Sequence, residues 1–167
     1  MISRAPEGYE CPICRGIQGF EEDKPLPKEK TDETKRKPVV LMKQADFVYR
    51  DDLVSAFINS FWIPTCEGHV IVVPNEHYEN IYEMPDEVGH RIFEVVKKIS
   101  IAMKKAYKCD GITARQNNEP AGDQHAFHYH HHIFPRYDND SFNINLTKRS
   151  ILSDPKDRVE YAEKLKK

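Results

Sequence analysis

Three histidines, His128, His130 and His132, stand at alternate positions inside the tract Gln124–Arg136, which holds five of the chain's eight histidines. On a β-strand, successive side chains point to opposite faces, and same-face neighbours lie ~6.5–7 Å apart. A strand over 128–135 therefore puts these three imidazoles on one face, with Tyr129, His131 and Ile133 on the other. Three imidazoles in a row are costly to bury unless each finds a partner. A core position would take Val or Ile instead. The spacing points to a metal site, a catalytic site, or both. The tract is internal and interrupted, so it is not a purification tag.

The flanking sequence reads as α+β. Phe47–Arg50 and Leu53–Ile58 are expected strands separated by Asp51-Asp52, and the β-branched run His69–Pro74 reads as a buried strand. Val88, Ile92, Val95, Val96, Ile99, Met103 and Ala106 recur at threes and fours, which predicts a helix over 85–108. Pro85 suits its first position and Gly111 its exit. A further strand is expected over 112–116. A terminal helix is expected over 154–166, started by Asp154-Pro155. Strands, one long helix and strands again imply an antiparallel sheet.

A length of 167 residues suits one domain spanning 1–167. No stretch approaches ~18 consecutive apolar residues, and the mean hydropathy of −0.70 argues against a membrane protein. Met1–Glu10 has no apolar core, so a cytoplasmic protein is expected. Lys and Arg number 25 against 27 Asp and Glu. That balance lacks the basic excess of a nucleic-acid binder. Residues 15–38 are charged and proline-punctuated, and read as an insertion or linker. Cys11-Pro12-Ile13-Cys14 has the spacing of a zinc half-site, or of a redox pair. Cys66 and Cys109 read as free thiols.

The tract His128-Tyr-His130-His-His132-Ile-Phe resembles the signature of the histidine triad (HIT) family. Gly68–His77 is similar to that family's upstream strand and loop. Asn117–Gln124 is similar to the loop leading into the triad, and Pro135-Arg136 to the segment after it. The resemblance covers about 9–137. It implies a HIT-like fold and a homodimer. It also implies a nucleotidyl hydrolase or transferase acting on purine nucleotide conjugates of AMP or GMP, of the phosphoramidate or dinucleoside polyphosphate type. His130 would be the nucleophile that attacks the α-phosphate, with His132 and His69 as further catalytic residues. A neutral imidazole is a competent nucleophile near pH 7. Asn118 and Gln124 would bind phosphate oxygens, Phe57 the base and Asn59 the ribose.

The zinc-containing branch of the superfamily suggests partners for Cys11 and Cys14. By that resemblance His77 and His128 complete a closed, structural Zn²⁺ site. Departures from the family pattern are Asp123 where glycine is usual, His125 where serine or threonine is frequent, and Asn59 where aspartate is frequent. Two other readings compete. One is a zinc-dependent hydrolase with the metal on His128, His130 and His132. The other is a non-catalytic nucleotide-binding module.

Overall fold

The computed structural model describes residues 3–21, 23–24, 39–40, 42–146 and 150–166. Most of the charged 15–38 segment lies outside these residues. Its start does not read as linker: Arg15 to Ile17 complete a short helix, α1 (Pro12–Ile17). Asp23–Lys24 (β1) pairs with Val39–Val40 (β2) across the remainder.

The centre is a five-stranded antiparallel sheet. Its strands are β3 (Phe47–Arg50), β4 (Val54–Ile58), β6 (Val70–Pro74), β7 (Gly111–Gln116) and β8 (His131–Arg136); a separate ribbon pairs β5 (Phe61–Trp62) with β9 (Ile151–Leu152). The order across the sheet is β3-β4-β6-β8-β7. All five residues of β6 are buried, as a continuous β-branched run in a sheet covered on both sides requires.

One face packs on α2 (Asp86–Tyr107). Val88, Ile92, Val95, Val96, Ile99 and Met103 form its buried stripe against Val54, Ala56, Ile58, Val70, Val72 and Ile133. Both ends of this helix differ from expectation by one residue. Pro85 is the N-cap, with ψ at 143°, and Lys108 takes the left-handed conformation that ends the helix. Gly111 already belongs to β7, so it is not the exit residue. After α3 (Phe142–Leu146), α4 (Pro155–Leu165) starts where expected: the Asp154 carboxylate accepts the Lys156 N–H at 2.8 Å. Ala162 and Leu165 of α4 join the same core.

The opposite face carries a smaller apolar cluster of Phe47, Phe57, Ile71 and Val73, covered by Ile13 of α1 and Met42. Toward β7 this face becomes polar, and the histidines stand there. The fold is thus an α+β sheet with one long and one terminal helix.

Gly68 leads into β6 with φ at +77°, and a Cβ there would lie 2.2 Å from the Tyr161 ring on α4. Gly68→Ala is expected to cost ~2–4 kcal/mol, from left-handed strain plus overpacking. That corresponds to a melting temperature lower by roughly 4–15 °C. A thermal melt matching wild type would show that α4 yields freely at this contact.

Candidate active site and metal centre

The approach to β8 separates the histidines that strict alternation would align. The ladder with β6 begins only at Val72–His131, so 128–130, expected within a strand over 128–135, lie outside the observed β8. The Tyr129 N–H donates instead to the Tyr78 carbonyl at 2.6 Å. This departure from ladder pairing turns His128 toward the N-terminal cysteines, while His130 and His132 stay together with ring centroids 4.7 Å apart.

His130 is 7% exposed, and its Nδ1 lies 2.7 Å from the His128 carbonyl oxygen. A carbonyl only accepts, so Nδ1 carries the proton and Nε2 keeps its lone pair. His132 Nδ1 lies 2.9 Å from His69 Nε2. The His69 ring stacks on Phe134 at 3.9 Å. Asn59 Nδ2 donates to the Phe61 carbonyl at 2.8 Å and faces His69 Nδ1 at 3.3 Å. An amide N–H at His69 Nδ1 makes that nitrogen the acceptor. Its Nε2–H then donates to His132 Nδ1, which leaves the His132 proton on Nε2.

Burial pushes His69 down to about 3, with repulsion from His130 and Arg115 adding to it and the Phe61 carbonyl opposing it. Burial likewise holds His132 well below the ordinary imidazole range, helped by His69, His130 and Arg115. Both are neutral when folded and bind a proton on unfolding once pH falls below ~6.5. Stability from this pair is therefore complete above pH ~6.5 and declines as pH drops, for His69 down to about 3. Each group adds up to ~1.4 kcal/mol per pH unit within its window. Urea midpoints at pH 7, 6 and 5 are expected to fall in that order. The His69→Phe variant is expected to fall less steeply, and equal slopes would contradict the assignment.

The expected substrate residues have other partners in this structure. Gln124 is buried; its Nε2 donates to the carbonyls of Glu79 and Ala126, and its Oε1 accepts the Glu119 N–H. Asn118 Oδ1 accepts from the Ile81 N–H and from Gln116, and its Nδ2 donates back to Gln116. Both amides thus tie the loop 117–126 to Glu79, Ile81 and Gln116 outside it, because that loop holds Glu119 and Asp123 at positive φ and has few ladder bonds of its own. Asn59 orients His69. Phe57 is buried at 5.0 Å from the Phe47 ring, on the same sheet face as His69 and His132.

Arg115 was not singled out in the sequence. It lies directly across from His132 in the β7–β8 ladder, with its Nη2 2.8 Å from Asp123 Oδ2. The available signal was a lone cation on the expected strand 112–116, uninterpretable until pairing with β8 is known.

Cys11, Cys14, His77 and His128 converge, with their ligand atoms all within 4.8 Å of one another. Cys11 is the N-cap of α1 and Cys14 sits one turn on, so both sulfurs share one side of the helix start. His128 Nδ1 lies 3.4 Å from each sulfur, and His77 Nδ1 lies 3.3 Å from Cys14 Sγ. Tetrahedral Zn²⁺ with its usual bond lengths spaces S and N by about 3.5 Å, so the donor set fits the ion. His128 Nε2 lies 3.0 Å from the Pro74 carbonyl, which places the proton there and turns the Nδ1 lone pair to the thiols. Without a cation, burial and the adjacent Cys11 sulfur push the Cys14 thiol up to about 12. A divalent ion relieves that repulsion.

No helix among the described residues is long and apolar enough to cross a membrane. Residues 41–139 match the family described as the HIT domain. An uncharacterised HIT-like protein of Saccharolobus solfataricus is 44% identical over 56% of this chain and 66% of its own length. The protein called hit of Bacillus subtilis is 39% identical over 54% of this chain and 61% of its length. The chain thus spans a little under two thirds of these relatives. An adenylylsulfatase of Arabidopsis thaliana is 33% identical over 56% of this chain and 46% of its length. The adenosine 5′-monophosphoramidase of Saccharomyces cerevisiae is 32% identical over 47% of each. Among solved structures, a Hit-like protein of Bartonella henselae with an unknown ligand superposes at TM-score 0.62, with 33% identity, over 72% of this chain and 83% of that one. A Zn-bound histidine triad protein of Mycobacterium smegmatis superposes at 0.59, with 27% identity, over 72% and 80%.

Proposed function

The chain belongs to the HIT domain family, and from that premise we propose that it hydrolyses purine nucleotide conjugates at the α-phosphate through a covalent intermediate on His130. The observation that carries this reading is the 2.7 Å contact from His130 Nδ1 to the His128 carbonyl. It commits the proton to Nδ1 and presents Nε2 as a nucleophile in a buried setting. Burial also lowers the His130 pKa, so the attacking form is neutral at pH 7. His130 Nε2 bonds to phosphorus as the bond to the leaving group breaks. Water then attacks phosphorus and frees both the nucleoside monophosphate and His130. The His132 Nε2–H, held in place through His69 and Asn59, is the donor for a phosphate oxygen or a departing amine. Phe57 lines the nucleoside end. Asn118 and Gln124 hold the loop over the phosphate, and Asn59 acts through His69. The named activities of the plant and yeast relatives support this class of reaction.

The test is intact mass after brief mixing with adenosine 5′-phosphoramidate. An increment of one adenylate is expected. Turnover without any adduct would overturn the covalent reading.

Zn²⁺ on Cys11, Cys14, His77 and His128 supplies a structural pin when bound, as in the zinc-containing branch of the superfamily, and the Zn-bound relative supports this. Its residues tie α1 to the segment carrying His130. Chelation is expected to lower the melting temperature by several degrees while leaving freshly chelated enzyme active. Immediate loss of turnover would favour the competing metal-water mechanism. That mechanism needs His128, whose Nδ1 faces the cysteines. The same reading carries a homodimer, joined at β7, one of the two edge strands of the sheet, and a reducing cytoplasm that suits four cysteines outside any disulfide. Sedimentation velocity tests the dimer.

A further inference from the structure

We propose that Arg115 selects substrates whose leaving group is an oxyanion, a phosphate or sulfate joined to the nucleoside monophosphate; this rests on the hydrolase reading above. Arg115 and His132 are directly paired across β7 and β8. Their side chains therefore leave the sheet on one face, with Cβ atoms ~4.5–5.5 Å apart. The guanidinium is already oriented: Nε donates to Asn117 Oδ1 at 3.2 Å and Nη2 to Asp123 Oδ2 at 2.8 Å. Those acceptors occupy the Nε–Nη2 edge. The Nη1 group has no acceptor among the described residues, and the side chain is 25% exposed. The free end of an oriented guanidinium matches two oxygens of a phosphate or sulfate.

Position across the sheet gives the direction. Phe57 stands on β4, His69 just before β6, His132 on β8 and Arg115 on β7, in the spatial order β4-β6-β8-β7. A nucleotide with its base toward Phe57 and its α-phosphate at His130 sends its leaving group toward β7. The polar neighbours there are Asp123, which holds Arg115, and His125, whose Nε2 lies 3.1 Å from Asp123 Oδ1. Asp123 and His125 are two of the departures from the family pattern, and they meet Arg115 in one cluster.

The chemistry separates two kinds of leaving group. With a sulfate or phosphate leaving group, His130 Nε2 forms the N–P bond and the bridging P–O bond breaks. Its electron pair departs with the oxyanion, which needs charge compensation and no proton. Water then adds to phosphorus, the N–P electrons return to His130, and the water proton passes to solvent. With a phosphoramidate, the departing nitrogen takes up a proton and carries no negative charge, so Arg115 has nothing to bind.

The experiment measures kcat/KM for adenosine 5′-phosphosulfate, diadenosine triphosphate and adenosine 5′-phosphoramidate in wild type, Arg115→Gln and Arg115→Lys. The ratio of an oxyanion substrate to the phosphoramidate is expected to fall about 100-fold in Arg115→Gln and to recover in part in Arg115→Lys. A fall with one oxyanion substrate identifies which leaving group is read. Unchanged ratios for both would overturn the proposal. A wild type that hydrolyses only the phosphoramidate would also overturn it and leave the hydrolase reading standing. A wild type that turns over none of the three, with no adduct, overturns the hydrolase reading and this inference with it.

Discussion

His130→Ala is expected to lower turnover of adenosine 5′-phosphoramidate by roughly 10⁴–10⁶-fold and to abolish the adenylate adduct. That corresponds to ~5.5–8 kcal/mol of lost transition-state stabilisation. The size follows from the role, because no other group in reach has the same arrangement. His132 Nδ1 is engaged by His69, and His128 faces the cysteines. Truncation also leaves the buried His128 carbonyl without its donor, which costs ~1–3 kcal/mol of stability. Loss of fold and loss of chemistry must therefore be separated. His130→Asn does this, since its amide can donate to the same carbonyl but offers no nucleophilic nitrogen. It is expected to melt within a few degrees of wild type and to be as inactive as the alanine variant. Retained turnover in a folded His130→Asn would end the case for His130 as nucleophile.

Asp46→Ala should destabilise the protein by ~3–5 kcal/mol, lowering the melting temperature by roughly 6–20 °C. Asp46 and Arg158 are both fully buried, with Nε and Oδ2 3.0 Å apart. Asp46 Oδ2 also accepts the Lys43 N–H at 2.8 Å, and Arg158 Nη1 donates to the Ser153 carbonyl at 3.1 Å. The pair joins the turn before β3 to the start of α4, 112 residues apart. Removing one member strands a buried charge, whereas an apolar pair of similar volume does not. Asp46→Leu combined with Arg158→Met is therefore expected to regain most of the loss. A double variant no better than the single one would mean that the remaining polar contacts of this region carry the stability.

Much of the fold was legible because its signals are local and periodic. The apolar stripe of α2 announces itself at threes and fours. The β-branched run of β6 is all buried, and Asp154-Pro155 starts α4. The ribbon of Phe61–Trp62 with Ile151–Leu152 was not legible, since two residues carry no period and the partners lie about 90 positions apart. The helix exit was misplaced for a related reason. A left-handed residue favours glycine, but Lys108 takes that conformation while its neighbour Lys104 donates to the Cys109 and Asp110 carbonyls.

The candidate site divides along the same line. Residue types and spacing marked His128, His130, His132 and the two cysteines, because imidazole and thiol clusters are improbable as core and have few uses other than chemistry; His69 was marked only by the family resemblance. Spacing could not say which nitrogen faces which partner. Only the tertiary structure turned His128 to the cysteines, freed His130 Nε2, linked Asn59 to His132 through His69, and closed Asn118 and Gln124 into the loop. It alone brought Arg115 beside His132, through strand register. Side-chain chemistry and short-range periodicity are properties of a few adjacent residues, and the sequence determines them by itself. Register, tautomer and the partner of each polar atom depend on contacts between segments far apart in the chain, and only packing decides those.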